Sequence, residues 1–322
     1  MIKNKVYDAF NGDADGICAL HQFRLANPCE STLITGVKRD IQLLDKIPIQ
    51  DGNIINVFDL SLDKNREPLS KHLASGATVN YFDHHFAGDI PRHEHLQAYI
   101  NTSSETCTSL IVDQHLKQGF SAWAIVGAFG DNFDNSAIAL NEQQLMLDTT
   151  SMEKLKQLGI LLNYNAYGAS LHDLHITPLK LYRCIAKYKN PFDFIATEPT
   201  FNLLVNGYKE DMAKVKNLKP IIDKEKYAVY MLPNKKWARR VSGVFANTLS
   251  INHPIRAHAL LTDIGNNSWL VSVRAPAKSK TGADELCRQF PTGGGRKAAA
   301  GINKLAHVDY DKFIVKLMKQ FA

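Results

Sequence analysis

The sequence predicts an α/β protein with an N-terminal parallel sheet that has helices on both faces, followed by a smaller C-terminal α/β domain. In the first half, short apolar runs alternate with helix-length amphipathic segments, which is the pattern of a parallel sheet covered by helices. The predicted strands are residues 5–10, 31–36, 53–59 and 77–83, and the predicted helices are 17–26, 105–118 and 142–162.

The mixed pattern restarts in the second half of the chain. Strands are predicted at 226–232, 255–264 and 268–275, and helices at 241–250 and 308–321. Because 322 residues are enough to bury two separate cores, we expect two domains. Their predicted limits are 1–190 for the first domain, 191–215 for a connector and 216–322 for the second domain.

Charge is distributed unevenly along the chain. The net charge is +6, but residues 200–322 carry an excess of 12 positive charges and residues 1–199 an excess of 6 negative charges. An acidic half favours bound cations, and a basic half favours phosphate-bearing ligands.

The cysteines and the apolar segments bear on the cellular compartment. The five cysteines are odd in number and far apart, which is typical of free thiols in a reducing compartment. The N-terminal segment has no long apolar region, so no signal peptide is predicted, and no apolar run is long enough to cross a bilayer. We therefore expect a cytoplasmic protein with no membrane partner.

Acidic residues and histidines follow the predicted strands. The segment NGDADG (residues 11–16) follows the first strand, Asp59 ends another, and Asp83, His84 and His85 follow the strand after that. The segment AIVGAFG, treated as a fourth strand-like element, is followed by Asp131. Because ligands of open parallel sheets bind outside the carboxyl ends of the strands, these side chains are expected to converge there. Carboxylates with one or two imidazoles suit manganese or magnesium better than a closed zinc site.

Five motifs in order resemble those of the DHH-family phosphoesterases. They are GDADG (12–16), Asp59 in VFDLS, DHH (83–85), GD (130–131) and GGGRKAAAG (293–301). The last is similar to the glycine-rich signature of the DHH-associated C-terminal domain, which binds substrate. The resemblance therefore implies a catalytic first domain, a substrate-binding second domain and an active site in the cleft between them. Within GGGRKAAAG, we expect a glycine-rich turn at the phosphate and a helix that begins at Ala298–Ala300.

The resemblance also implies a role for each matching residue. Two manganese ions, replaceable by magnesium, would be held by Asp13, Asp15, Asp59, His84 and Asp131. Asp59 would bridge the ions, with Asp15, His84 and Asp131 completing one of them and Asp13 on the other. The implied catalytic residues are Asp59, His84 and His85, and His85 would contact the substrate phosphate or stabilise the leaving oxygen. The implied substrate-binding residues are His85, Arg274, Gly293, Gly294, Gly295 and Arg296, with Asn11 and Asp83 as supporting partners of the ligands.

The sequence departs from the family pattern at two positions. Ala9 stands where many members carry a histidine ligand, so we expect one tight and one weak metal site, with Asn11 or water filling the gap. Arg296 stands where the family usually has a histidine. Its guanidinium could hold a phosphate or read the edge of a guanine.

The function expected from this resemblance is hydrolysis of short linear RNA to 5′-mononucleotides by metal-activated water. Dinucleotides such as pGpG or pApA are the expected substrates, and a homodimer is an open alternative to a monomer. Three other functions stay open: a RecJ-like single-strand exonuclease, a cyclic-dinucleotide phosphodiesterase, and a nucleotide-binding regulator with a degenerate metal site.

Overall fold

The computed structural model describes residues 5–321, and the chain divides into two compact units between Val205 and Asn206. Each unit has its own sheet and its own apolar core. No helix within residues 5–321 combines the length and the apolar character needed to cross a membrane.

The first unit is built on a five-stranded sheet in which every pair of neighbouring strands is parallel, as predicted. The strands are β1 (Val6–Phe10), β2 (Thr32–Ile34), β3 (Ile54–Phe58), β4 (Thr78–Asp83) and β5 (Leu96–Ile100). Their order is β2-β1-β3-β4-β5, so the chain moves outward from β1 to β2 and returns to β3 on the other side of β1. Ligands of such sheets bind at the carboxyl ends beside this reversal, here between β1 and β3.

Nine helices accompany this sheet within the described residues. They are α1 (Ala14–Ala26), α2 (Arg66–Ala74), α3 (Thr108–His115), α4 (Ser121–Gly130), α5 (Asp134–Leu140), α6 (Thr149–Ala166), α7 (Pro178–Ile185), α8 (Pro191–Thr197) and α9 (Pro199–Val215). Helices α8 and α9 occupy the segment predicted as a connector, and the boundary between the units falls within α9.

Both faces of the first sheet are covered, because successive side chains of a strand point to opposite faces. On one face, Val57 and Tyr81 share a buried cluster with Leu69 of α2. On the other face, Phe58 and Phe82 stack on one another, and Phe23 of α1 packs against both rings. The prediction of helices on both faces is confirmed.

A row of polar side chains crosses the centre of the first sheet. Asp8, Asn56 and Asn80 are paired in register on β1, β3 and β4. Asn56 donates to Asp8 (2.8 Å), Asn80 donates to Asn56 (2.9 Å), and Arg24 of α1 donates to both oxygens of Asp8 (2.7 and 2.5 Å). The buried charge of Asp8 is therefore paired and hydrogen-bonded, as a buried carboxylate requires.

The second unit contains a six-stranded mixed sheet in the order β10-β11-β9-β8-β7-β6. Its strands are β6 (Ile222–Asp223), β7 (Tyr227–Leu232), β8 (Ala257–Asp263), β9 (Ser268–Arg274), β10 (Gly293–Gly295) and β11 (Ala299–Ala306), and its helices are α10 (Lys236–Asn252), α11 (Ala283–Cys287) and α12 (Tyr310–Phe321). Strands β7 and β8 are parallel and joined by α10, whereas the other pairs are antiparallel. Helices α11 and α12 cover one face through Leu286, Phe313 and Leu317.

Three local predictions are wrong or shifted. Ala299 and Ala300 lie in β11 rather than at the start of a helix, because they pair with Arg274 and Val273 of β9, and this pairing outweighs the helix propensity of alanine. Asp131 follows helix α4, not a strand. The helix predicted at 142–162 is Thr149–Ala166, since a separate short turn before it ends at Met146, which has a φ of +49°.

We expect the burial of His21 to make the stability of the protein depend on pH. This side chain on α1 is 1% exposed, its Nε2 lies 2.8 Å from the carbonyl oxygen of Tyr188, and its ring packs edge-on against Trp123. Burial lowers the pKa of His21 to about 4. Between this value and the unfolded pKa of about 6.5 only the unfolded chain binds a proton, so stability falls as the pH decreases through that window.

We expect His21 to contribute a loss of about 3 kcal/mol in the free energy of unfolding between pH 7 and pH 4. Urea unfolding across this range would measure it, with His21→Gln as the comparison because glutamine can still donate to the Tyr188 carbonyl. The pH slope should be shallower in His21→Gln. Identical slopes in both proteins would contradict the assignment.

Candidate metal centre

The loop after β1 holds the first two acids of the site. Asp13 caps α1, and its side chain accepts a hydrogen bond from the backbone N–H of Gly16 (3.1 Å). A Cβ on Gly12 would lie 2.1 Å from the carbonyl oxygen of Gly36, and a Cβ on Gly16 would lie 2.3 Å from that of Asn11. Both glycines are therefore required because neighbouring backbone approaches this loop closely.

Asp15 is fully buried and is fixed by the beginning of α3. Its two carboxylate oxygens accept hydrogen bonds from the backbone N–H groups of Thr108 and Ser109, each at 2.8 Å. The first N–H groups of a helix have no partner within the helix and carry partial positive charge. They therefore hold the orientation of the Asp15 carboxylate.

Asp59 follows β3 in an unusual backbone conformation. Its φ is +58°, its backbone N–H donates to the carbonyl oxygen of Phe82 (3.0 Å), and its Oδ1 accepts from the Thr108 hydroxyl (3.3 Å). Positive φ is uncommon outside glycine and is enriched at functional sites, although aspartate tolerates it better than most residues. This conformation places Oδ1 3.4 Å from Nε2 of His84.

His84 is at the centre of the cluster. Its Nδ1 lies 3.0 Å from the carbonyl oxygen of Thr106, which can only accept, so Nδ1 carries the proton and Nε2 is free to bind a metal. Nε2 lies 3.4 Å from Asp59, 3.6 Å from Asp131 and 3.9 Å from Asp15. Ligand atoms of Asp15, His84 and Asp131 all lie within 4.8 Å of one another, and the same holds for Asp59, His84 and His85.

His85 and Asp83 form a hydrogen-bonded pair beside the centre. Nδ1 of His85 lies 2.7 Å from Oδ1 of the buried Asp83 and 3.7 Å from Asp59. Partial burial opposes the charged imidazole, but Asp83 and Asp59 outweigh it and raise the pKa of His85. The role of Asp83 in orienting the histidines stays a prediction, and this contact supports it.

Asp131 enters the site from the end of α4. A Cβ on Gly130 would lie 2.2 Å from Cβ of Ala14 and 2.9 Å from the carbonyl oxygen of Gly159. The end of α4 is thus packed tightly between α1 and α6. This packing fixes the position of Asp131, which is the next residue. The predicted placement of Asp131 after a strand-like element is wrong, because it follows helix α4.

The cluster carries more negative than positive charge. Burial and the neighbouring Asp13 and Asp15 carboxylates raise the pKa of Asp59 well above its usual range. Carboxylates that destabilise one another's charge in this way favour a cation among them. The donor set of carboxylate oxygens and one free imidazole nitrogen fits a manganese or magnesium ion.

Lys38 is the residue of this centre that the sequence did not reveal. Its ammonium contacts Asp13 and lies 3.4 Å from Oδ1 of Asp131 and 3.0 Å from Oδ1 of Asn163. Burial opposes the charge, but Asp13 and Asp131 outweigh it and raise the pKa of Lys38. A single lysine in a loop forms no pattern, so no signal in the sequence could have singled it out.

The supporting residue Asn11 lies next to this lysine. Its side-chain nitrogen donates to the carbonyl oxygen of Lys38 (3.5 Å), and its side-chain oxygen is buried without a hydrogen-bond partner among the described residues. Ala9, at the position of the missing histidine, is fully buried in the apolar cluster beneath β1 and β3.

Apart from His85, the predicted substrate-binding residues lie in the second unit, at the end of β9 and on the hairpin formed by β10 and β11. Arg274 pairs in register with Ala299, and the backbone of Ala299 is hydrogen-bonded in both directions to Arg296. The Arg274 side chain donates from Nε to Asn247 of α10 (2.8 Å).

The three consecutive glycines of the hairpin differ in their surroundings. A Cβ on Gly293 would lie 1.7 Å from the carbonyl oxygen of Cys287, and Gly295 has a φ of +139°. Gly294 has open space where its Cβ would be. The fold therefore requires glycine at 293 and 295 but offers no steric reason for it at 294.

Comparison with known proteins gives matches among solved structures only. No protein-family model and no curated protein matches the chain. A manganese-bound RecJ exonuclease is similar with a TM-score of 0.63 and 16% identity, over 97% of this chain and 89% of that one. The DHH domain PF0399, described as a member of the s1p family of ribosomal proteins, has a TM-score of 0.65 and 12% identity, over 98% and 86%. The pGpG-specific phosphodiesterase PggH from Vibrio cholerae has a TM-score of 0.54 and 16% identity, over 99% and 98%.

The fold that these similar structures define is the DHH-domain fold. The chain has that fold, with a parallel-sheet unit followed by a second α/β unit, as the motifs predicted. Asp15, Asp59, His84 and His85 converge at the carboxyl ends of β1, β3 and β4.

The close packing at Gly130 gives a test of how Asp131 is positioned. In Gly130→Ala, the added methyl group must displace α4 from α1 and α6, so we expect a loss of about 1–3 kcal/mol in stability. Because Asp131 follows this residue directly, the dissociation constant for Mn²⁺ should also rise.

The matched control is Gly119→Ala, where the nearest atom to the new methyl group would be a carbonyl oxygen at 3.6 Å. Urea unfolding and calorimetric titration with Mn²⁺ would measure the two effects. Unchanged metal affinity in a destabilised Gly130→Ala protein would show that Asp131 does not bind the ion.

Proposed function

We propose that this protein is a manganese-dependent phosphodiesterase that hydrolyses short linear RNA to 5′-mononucleotides. Dinucleotides such as pGpG or pApA are the proposed substrates, and magnesium is the proposed substitute ion. The observation that carries the proposal is the convergence of Asp15, Asp59, His84 and Asp131 around the free Nε2 of His84.

A divalent ion held by these four side chains would lower the pKa of a coordinated water and offset negative charge that develops on the phosphoryl group. The chain contributes fixed geometry to this chemistry. Asp15 is held by the N–H groups of Thr108 and Ser109, and Asp59 by its own backbone and the Thr108 hydroxyl. Ligands that are already oriented need no rearrangement during the reaction, and such preorganisation is a major source of rate enhancement.

His85 is the proposed acid for the leaving oxygen. Its Nδ1 is engaged by Asp83, so the proton available to a substrate is on Nε2. Oδ1 of the buried Asp83, 2.7 Å from Nδ1, favours the protonated imidazole. Its side chain is 40% exposed, which leaves it accessible to a bound substrate.

The second unit is proposed to hold the substrate through Arg274, Arg296 and the glycine hairpin. Gly294 supports this assignment, because open space above a glycine lets a phosphate oxygen approach the backbone. The fold similarity to a pGpG-specific phosphodiesterase over nearly the full length of both chains supports a dinucleotide as the substrate. The similarity to RecJ keeps a single-strand exonuclease as the second candidate.

A substrate panel tests the proposal. We expect Mn²⁺-dependent hydrolysis of pGpG or pApA to be faster than that of longer RNA, single-stranded DNA, cyclic dinucleotides or pyrophosphate. Cleavage that persists along an RNA ladder would favour the exonuclease, and preferred ring opening would favour a cyclic-dinucleotide phosphodiesterase. Nucleotide binding without any hydrolysis would leave only the regulator.

The variant Asp59→Asn tests the role of the central carboxylate. Asparagine tolerates a positive φ, so the backbone can be retained while the charge is removed. We expect hydrolysis to fall by about 100-fold or more, because a metal ligand at the reacting centre is lost. Turnover assays with saturating Mn²⁺ would measure this, with the exposed Asp45→Asn as the matched control. Comparable activity in both variants would refute the assignment.

A further inference from the structure

The ammonium group of Lys38 lies where a cation beside Asp13 would bind. It contacts the Asp13 carboxylate and lies 3.0 Å from Asn163 and 3.4 Å from Asp131. An ammonium has three N–H donors, and here three side-chain oxygens surround it. Its side chain is only 20% exposed, so this charge is part of the centre rather than of the surface.

The position of Lys38 is built into the fold. Its backbone N–H donates to the carbonyl oxygen of Ala166 at the end of α6 (3.0 Å), and its ammonium lies 5.7 Å from the centre of the Tyr167 ring. The end of a helix carries partial negative charge, which favours a cation nearby. The missing side chain of Gly12 allows the backbone at Gly36, two residues before Lys38, to pack against the loop that carries Asp13.

The two carboxylates of the DADG turn consequently have different partners. Asp15 faces His84 and belongs to one of the two groups of ligand atoms that could hold a metal among residues 5–321. Neither of these groups includes Asp13, and both include His84. The two groups share His84, whereas Asp13 contacts Lys38 and belongs to neither group.

A second divalent ion beside Asp13 would meet an unfavourable environment. It could draw on oxygens of Asp59 and Asn11, but Ala9 supplies no imidazole, and Asp13 is already shared with an ammonium. Two like charges a few ångströms apart in a poorly solvated site repel strongly. The ion would have to displace Lys38 from its partners on α6.

We infer that Lys38 takes the place of one divalent ion and that this centre binds a single Mn²⁺ per chain, through Asp15, Asp59, His84 and Asp131. The fixed positive charge of Lys38 neutralises Asp13 and lies within reach of Asp131. For catalysis, the inference rests on the proposed function: Lys38 would supply charge at the phosphoryl group that a second ion would otherwise supply.

Metal stoichiometry tests this inference without measuring activity. We expect the full chain to bind one Mn²⁺ in equilibrium dialysis, with the electron paramagnetic resonance spectrum of an isolated ion. Two bound ions with an exchange-coupled spectrum would overturn the inference and leave the proposed phosphodiesterase intact. No bound ion would overturn the inference together with the metal centre of the proposed function. One bound ion without hydrolysis of any substrate would support the inference and count against the function alone.

A matched pair of variants separates the two carboxylates. In Asp15→Asn, the dissociation constant for Mn²⁺ should rise by about tenfold or more. In Asp13→Asn combined with Lys38→Met, the ion pair is removed without a net change in charge, and asparagine can still cap α1. The dissociation constant of this double variant should stay within about threefold of the original, because neither side chain belongs to the inferred ligand set and the pair that is removed carries no net charge. A rise as large as in Asp15→Asn would overturn the inference, and the stoichiometry of the unmodified chain decides it if the double variant does not fold.

Discussion

Mutual repulsion among four neighbouring carboxylates is the constraint that shapes the first unit. Asp13, Asp15, Asp59 and Asp131 are all buried or nearly so, and an ionised carboxylate without a partner is strongly disfavoured in such a place. The fold provides a different compensation for each. Asp15 receives two N–H groups of α3, and Asp59 receives the hydroxyl of Thr108. Asp13 receives an N–H of α1 and the ammonium of Lys38, which also lies 3.4 Å from Asp131.

This arrangement explains why helices begin where they do around the site. An N–H group in the first turn of α1 donates to Asp13, and the first two N–H groups of α3 donate to Asp15, so one short segment serves the beginnings of two helices. Asp15, which accepts from α3, also lies 3.9 Å from Nε2 of His84. Secondary structure and metal chemistry therefore depend on the same atoms, and the glycines at 12 and 16 make the necessary approach of backbone possible.

Much of this architecture could be predicted from the sequence, and the exceptions have physical causes. Strands β1 to β4 and the convergence of Asp15, Asp59 and His84 follow from local patterns and from a general rule for parallel sheets, whereas β5 was not predicted. The run AIVGAFG was ambiguous because a short apolar run fits a buried strand and a buried helix equally well. Ala299 and Ala300 were misassigned because pairing with a distant strand decided their conformation. Lys38 could not be found because its partners on α6 lie more than 100 residues away in the chain.

The polar row formed by Asp8, Asn56 and Asn80 has a consequence for the accuracy of assembly. Strands rich in valine and isoleucine could slide past one another at little cost in apolar contact, whereas a slip of one residue would leave the charge of Asp8 facing hydrocarbon. Each step along a strand is about 3.3 Å, which is comparable to the distances among the ligand atoms. The row therefore favours the correct strand register before any ion binds. The positions of the ligand atoms, which lie several residues further along the strands, depend on these buried hydrogen bonds.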